Sequence, residues 1–276
     1  MDFTSFFTES RYPLVDKTYL SWRENLSGQS TGGSFYKATE IVNDVQKFYK
    51  LSQCIGTEIV GHESFNEVIV SRLLDILGIP HTQYELINGR IQLNNHEYIT
   101  QFSESDSFIF PDETEMHLDQ LFPNSKDYRS DLLNLNFRRQ LDQMFLVDFL
   151  IINRDRHSHN ISFGYNSNTH QIRWIPLFDH GFCFVSYLLN DWEAIAQFNP
   201  MKNSVVNNAI GSHYLFDNLK LISEPVRVHP LLEKHAHDLV ADLDAFVPRS
   251  FLQKCLEIIY RRYEYAKNEN FLVEES

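Results

Sequence analysis

Residues 150–181 read LIINRDRHSHNISFGYNSNTHQIRWIPLFDHG, and this stretch decides the fold. An apolar run with helical periodicity, Asp131 to Ile152, passes without a linker into the tight polar loop Asn153-Arg154-Asp155-Arg156-His157. Asp155 and Asn160 stand five residues apart in that loop. Two β-prone segments follow, Asn160 to Tyr165 and Gln171 to Leu177, flanking the turn residues NSNT, which reads as a hairpin. Asp179 comes straight after the return strand and precedes Gly181, 24 residues beyond Asp155. A hairpin of that length brings Asn160 and Asp179 together at one end.

An Asp, an Asn five residues later, then a hairpin ending in Asp-x-Gly is the order of catalytic base, metal ligand and metal ligand in protein kinases. The chemistry explains the residue types. Transferred phosphates call for a cation, a divalent metal takes hard oxygen ligands, and the attacking hydroxyl needs a carboxylate to accept its proton.

Working back toward the N-terminus, the same scheme finds its other parts. Val45 to Leu51 is a β-prone run carrying Lys50 between Tyr49 and Leu51. Glu63 to Leu77 is helical, with Phe65, Ile69, Leu73 and Ile76 at three- and four-residue steps, and Gly78 and Pro80 end it. Glu67 falls at the rim of that helix's apolar arc, beside Val70 and Leu74, where a carboxylate can reach a strand lysine; taken alone it reads better as a solvated Glu of an amphipathic helix. Ahead of both lies GQSTGGSFYKA, residues 28–38, a glycine-rich turn leading into an extended stretch. Asn88-Gly89 predicts a hairpin turn between YELI and RIQL. A strand from His96 to Phe102 then runs into the polar stretch SESDS, read as a hinge, and helices over 230–243 and 249–267 close the chain. The fold class this predicts is α+β and two-lobed, protein-kinase-like. Residues 1–104 form a small β-rich lobe with one main helix, and residues 105–276 a larger helical lobe.

Taken together, GQSTGGSFYK, FYKLS, NEVIVSRLLDILGIPH, LIINRDRHSHN and IPLFDHG resemble the HipA-like serine/threonine kinases, a bacterial family related to the toxin component of toxin–antitoxin modules. The resemblance covers the kinase core, without the N-terminal subdomain of full-length HipA proteins, since 27 residues precede Gly28. It implies that Lys50 holds ATP phosphates with Glu67 as its partner, that Asp155 is the catalytic base, and that Asn160 and Asp179 bind magnesium. It further implies a nucleotide-contacting set of Gly28, Ser30, Thr31, Gly32, Gly33, Lys37 and Lys50, to which Gln101 and His157 are added as candidates. Lys37 reads equally well as a solvated strand lysine, and His157 also as a brace of its loop. His180 stands where the usual DFG has Phe, so inferences about Phe-in and Phe-out switching do not transfer. HipA-like kinases autophosphorylate in the glycine-rich loop, and Ser30, Thr31 and Ser34 supply hydroxyls for it.

Composition narrows the rest. With 43% hydrophobic residues among 276, the chain can bury a sizeable core. A net charge of −13 argues against a nucleic-acid or anionic-membrane surface, since both partners are polyanions. Cys54, Cys183 and Cys255 are odd in number and widely spaced, which predicts reduced buried thiols rather than a disulfide framework. Twelve histidines include HSH at 157–159 and HAH at 235–237, but no Cys/His set has zinc spacing. Arg154 and Arg156 flank Asp155 and read as partners of nearby carboxylates or of a phosphorylated residue. Asp2, Glu9, Arg11 and Asp16 interrupt the N-terminus, so no signal peptide is read and a cytoplasmic location is expected. The leading functional reading is an ATP- and Mg2+-dependent kinase acting on Ser/Thr of an unidentified protein acceptor, with an antitoxin-like regulator as the partner the resemblance implies. A small-molecule kinase of aminoglycoside or lipid type and a nucleotide-binding pseudokinase are the competing readings.

Overall fold

The computed structural model describes residues 12–26, 34–55 and 58–275. Among the described residues, eight strands, all before residue 107, form one sheet. They are β1 (Leu14–Asp16), β2 (Arg23–Leu26), β3 (Ser34–Val42), β4 (Val45–Leu51), β5 (Cys54–Ile55), β6 (Glu58–Ile59), β7 (Glu85–Leu93) and β8 (His96–Asp106), with the helix α1 (Glu63–Leu77) between β6 and β7. The order across the sheet is β1-β7-β8-β4-β3-β5-β6, with β2 on β3. Lys50 of β4 is in register with Lys37 of β3 on one side and Ser103 of β8 on the other. Residues directly opposite one another point to the same face of a sheet, so Lys37 and Lys50 share one. The alternate residues Tyr49, Leu51 and Phe102 face the other way, into a small core with Leu20, Ala38, Ile91 and Leu93.

The remainder packs around a second, larger core. Its elements are β9 (Thr114–His117), α2 (Leu118–Leu121), α3 (Tyr128–Asn134), α4 (Arg138–Ile151), β10 (Asp155–Arg156), β11 (Ser162–Asn166), β12 (Gln171–Trp174), α5 (Trp192–Gln197), β13 (Asn207–Asn208), α6 (Leu215–Leu219), β14 (Val226–Val228), α7 (His235–Val240), α8 (Arg249–Asn268) and β15 (Leu272–Glu274). The predicted 160s hairpin is present as antiparallel β11–β12, with β9 on its other edge. The larger core runs from Phe65 and Leu73 of α1 through α4 to α8, so α1 belongs to both halves of the molecule. All three cysteines are buried and free.

Three local expectations are corrected. Asn88-Gly89 is not a turn, because β7 runs unbroken through it, and the turn lies at Asn94 and Asn95, both with positive φ as a two-residue hairpin requires. Gly89 is needed for close approach instead. A Cβ there would sit 2.6 Å from the Phe102 ring, while β1 pairs along its backbone at Val15. Second, the SESD of the expected hinge is the end of β8, paired with β4 as far as Lys47–Asp106. Third, the helix expected from Asp131 to Ile152 is broken into α3 and α4 by Asn136 at φ 63. Periodicity carried through that break because Leu132 and Phe137 are both buried on its two sides.

Candidate active site

Helix α1 is stitched at its N-terminus to the chain that leaves β4. The Ser64 amide donates to the Ser52 hydroxyl at 3.0 Å, the Ser64 hydroxyl donates to the Lys50 carbonyl at 3.2 Å, and the Gln53 amide donates to the Glu63 carboxylate at 2.9 Å. Glu67, one turn further on the same face, is thereby carried to the Lys50 side chain. On its other flank α1 holds the Asp-x-Gly turn. Asn66 donates to the Gly181 carbonyl at 2.8 Å, and the His180 amide donates to Glu67 Oε2 at 2.8 Å. Gly181 allows this contact, because a Cβ on it would lie 2.9 Å from Glu63 Cβ and 3.2 Å from Glu67 Oε1.

Lys50 therefore sits between two carboxylates, with its Nζ 2.5 Å from Asp179 Oδ1 and 3.6 Å from Glu67 Oε1. Burial works against the Lys50 charge, but the carboxylates of Asp179 and Glu67 outweigh it and hold the pKa above the ordinary lysine value. Burial likewise opposes ionisation of Asp179, and the Lys50 and Lys37 ammoniums overcome it, keeping Asp179 well below the usual carboxylate range. Glu67 goes the other way. It is fully buried, and burial pushes its pKa up, with the Asp179 charge adding to the rise and Lys50 opposing it. Crowding by the surrounding protein, and then the like charge of Lys50, lower the pKa of Lys37. His180 is buried, and burial, followed by Arg156, holds it neutral.

The polar loop is built on a buried ion pair, in which Arg156 finds the carboxylate partner expected for it on Asp148 of α4. Arg156 is 1% exposed and forks onto Asp148 of α4, with Nη2–Oδ1 at 2.8 Å and Nε–Oδ2 at 3.1 Å. Its Nη1 donates to the carbonyls of both Asn160 and Phe178, at 2.9 and 3.2 Å. One guanidinium thus ties the residue before Asp179 to Asn160. A single Asp inside the apolar run FLVDFLI, eight residues before an Arg in a tight loop, was the signal available in the chain. Arg154, by contrast, lies over the Tyr187 ring at 4.1 Å.

Asp155 is half-exposed, and His157 Nε2 lies 3.6 Å from its Oδ2. Asn160 Nδ2 donates to the Asp155 carbonyl at 2.8 Å, which leaves the amide oxygen of Asn160 as its donor atom for a cation. The Asp179 amide donates to the Tyr84 hydroxyl at 3.3 Å, a contact with no signature in the sequence. Gln101 Nε2 donates to Asn88 Oδ1 of β7 at 2.9 Å. Gly28, Ser30, Thr31, Gly32 and Gly33 lie outside the described residues.

The donor set fits magnesium. Asp179 and Asn160 offer a carboxylate and an amide oxygen, and Mg2+ is commonly held by one or two such ligands, with substrate phosphates and water completing its shell. Among the described residues no group of three or more His, Cys, Asp or Glu could hold a metal ion by itself.

Comparison with solved structures places this architecture. The chain superposes on the crystal structure of the Helicobacter pylori proinflammatory kinase CtkA with a TM-score of 0.60 at 16% identity, covering 91% of this chain and 94% of that one. The HipA chain of the Shewanella oneidensis MR-1 complex with HipB and operator DNA matches with a TM-score of 0.42 at 14% identity, over 91% of this chain and 60% of that one. No protein-family model matches the sequence, and no curated protein matches it. The fold is shared with the CtkA kinase and is the kinase-like, two-lobed one that the sequence predicts. Among the described residues no helix is long and apolar enough to cross a membrane.

Proposed function

We propose that this chain is a HipA-like phosphotransferase that moves the γ-phosphoryl group of ATP, with Mg2+, to a Ser or Thr hydroxyl of a protein acceptor. The observation that carries the reading is Lys50 shared between Glu67 and Asp179, a cation and two carboxylates converging from a strand, a helix and an Asp-x-Gly turn. In this reading Lys50 engages the ATP phosphates and Glu67 orients it, while Asn160 and Asp179 hold magnesium. Bound there, the metal neutralises charge developing on the transferred group. Asp155 accepts the hydroxyl proton as the acceptor oxygen bonds to the γ-phosphorus, and the bond to the β,γ-bridging oxygen breaks with its electron pair leaving on ADP. In this reading the nucleotide lies between the lobes 1–104 and 105–276, with Lys37 among its contacts. An antitoxin-like regulator belongs to this reading through the sequence resemblance, as does autophosphorylation of Ser30, Thr31 or Ser34.

The test is intact-mass and peptide-mapping mass spectrometry after incubation with Mg·ATP, alone and with a cell lysate, beside an Asp155→Ala control. Phosphate on protein Ser or Thr in the presence of the intact chain only is the expected result. Phosphate appearing only on small molecules moves the acceptor class to the competing kinase reading. Nucleotide binding without transfer to anything leaves a pseudokinase.

A further inference from the structure

Asp155 presents two carboxylate oxygens that the protein treats differently. Its Oδ1 accepts a hydrogen bond from Asn207 Nδ2 at 2.9 Å, while Oδ2 stands 3.6 Å from His157 Nε2. An ionised carboxylate only accepts, so the amide nitrogen of Asn207 is the end that faces it. Asn207 lies 28 residues beyond Asp179 in a segment that pairs in parallel with the polar loop, Asp155 opposite Asn207 and Arg156 opposite Asn208. Two backbone bonds lock that register, from the Asn207 amide to the Arg154 carbonyl and from the Ala209 amide to the Arg156 carbonyl, both 2.9 Å. Val206 and Asn208 on either side are buried, so an exposed side chain is carried on an anchored backbone. The Val206 amide donates to the His213 carbonyl at 2.9 Å and Asn208 Oδ1 accepts from the Ile210 amide at 3.1 Å, which fixes the segment from the far side as well.

We propose that Asn207 is a positioning residue for Asp155: by holding Oδ1 it fixes the carboxylate's rotamer and presents Oδ2 to the acceptor hydroxyl. The inference rests on the phosphotransferase reading. A half-exposed Asp is otherwise free to rotate about χ1 and χ2, and a general base works only with its oxygen within about 2.6–3.2 Å of the hydroxyl it serves. The acceptor's proton passes to Oδ2, its oxygen bonds to the γ-phosphorus, and the electron pair of the broken bond stays on ADP. Asn207 exchanges no atom in this step and acts only through Asp155.

The experiment compares the intact chain with Asn207→Ala, Asn207→Asp, Asp155→Ala and the Asp155→Ala/Asn207→Ala double variant. It measures kcat, KM for ATP, Mg·ATP affinity by calorimetry, and Tm. Asn207→Ala removes the donor alone, while Asn207→Asp keeps the size and shape of the side chain and sets a like charge against Asp155 Oδ1, which should turn the carboxylate away. The expected result is a fall in kcat on the order of 10- to 100-fold for both single Asn207 variants, the scale of a misplaced catalytic group. Mg·ATP affinity and Tm should be unchanged, and Asn207→Ala should cost nothing further in the Asp155→Ala background, because residues acting as a unit are not additive. An active intact chain whose Asn207 variants keep its kcat, or whose losses add to those of Asp155→Ala, overturns the proposal. An intact chain that neither binds Mg·ATP nor transfers phosphate overturns the underlying reading, and the proposal with it.

Discussion

Lys50 Nζ and Asp179 Oδ1 meet at 2.5 Å across 129 residues of chain, and Glu67 stands 3.6 Å from the same ammonium. The cation separates two carboxylates, so its removal leaves like charges facing each other with little water to screen them. Lys50→Met should therefore cost about 3 kcal/mol of stability as well as the activity, because breaking a buried pair strands an uncompensated charge. Adding Glu67→Gln should return most of the stability and none of the activity. Urea unfolding of the three proteins measures this, and a double variant no more stable than Lys50→Met would count against the shared-cation account.

The Asp148–Arg156 pair is more deeply buried, with both side chains at most 2% exposed. Asp148→Ala leaves the guanidinium unpaired in the interior and should destabilise the fold by about 3–5 kcal/mol. Arg156→Lys should fold better than that but lose activity, since an ammonium cannot fork onto Asp148 while reaching the carbonyls of Asn160 and Phe178. Denaturation midpoints and kcat, measured together, separate the two effects.

The metal-binding and proton-accepting roles proposed for Asn160, Asp179 and Asp155 are separable by titration. Asn160→Ala and Asp179→Ala should each weaken the Mg2+ dependence of nucleotide binding, because each removes a hard oxygen donor. Asp155→Ala should leave Mg·ATP affinity intact and slow transfer by about 10²–10⁴-fold, the worth of a positioned general base. Isothermal titration at varied Mg2+ checks the first pair and single-turnover kinetics the third. Loss of Mg·ATP binding in folded Asp155→Ala would reverse the assignment.

Acid should loosen the molecule at His62. Its ring is 5% exposed, stacked on Phe251 at 4.5 Å and edge-on to Trp192, and burial pushes its pKa from 6.5 down to about 4. Between those values the unfolded chain holds the proton and the folded chain does not. This contribution is complete above pH about 6.5 and is lost as pH falls toward 4, by up to about 3 kcal/mol. His62→Phe keeps the ring stack and removes the titration, so the Tm of that variant should fall less than that of the intact chain between pH 7 and 4.5. Parallel Tm–pH curves for the two proteins would dismiss His62 as the group responsible.

Local reading succeeded where a residue's role is written in its neighbours and failed where a distant partner decides. The helix at 63–77 and the 160s hairpin follow from periodicity and turn residues. Asn88-Gly89 carries a strong hairpin signal, yet Phe102 and Val15, far off in the sequence, turn that glycine into a strand position. The SESD stretch looks like a polar hinge until β4 is known to lie beside it, with Lys47 pairing Glu104 and Asp106.

The sequence by itself determined the kinase-like order of Lys50, Glu67, Asp155, Asn160 and Asp179, because spacing along one chain is enough to place a loop, a hairpin and a turn. Only the tertiary structure decided that Lys50 answers to two carboxylates, that Arg156 turns inward to Asp148, and that Asn207 holds Asp155. Each of these is a contact between charged or polar groups on separate elements, from 8 residues apart for Asp148 and Arg156 to 129 for Lys50 and Asp179. Their strength depends on burial and on a few tenths of an ångström, which one-dimensional spacing does not encode.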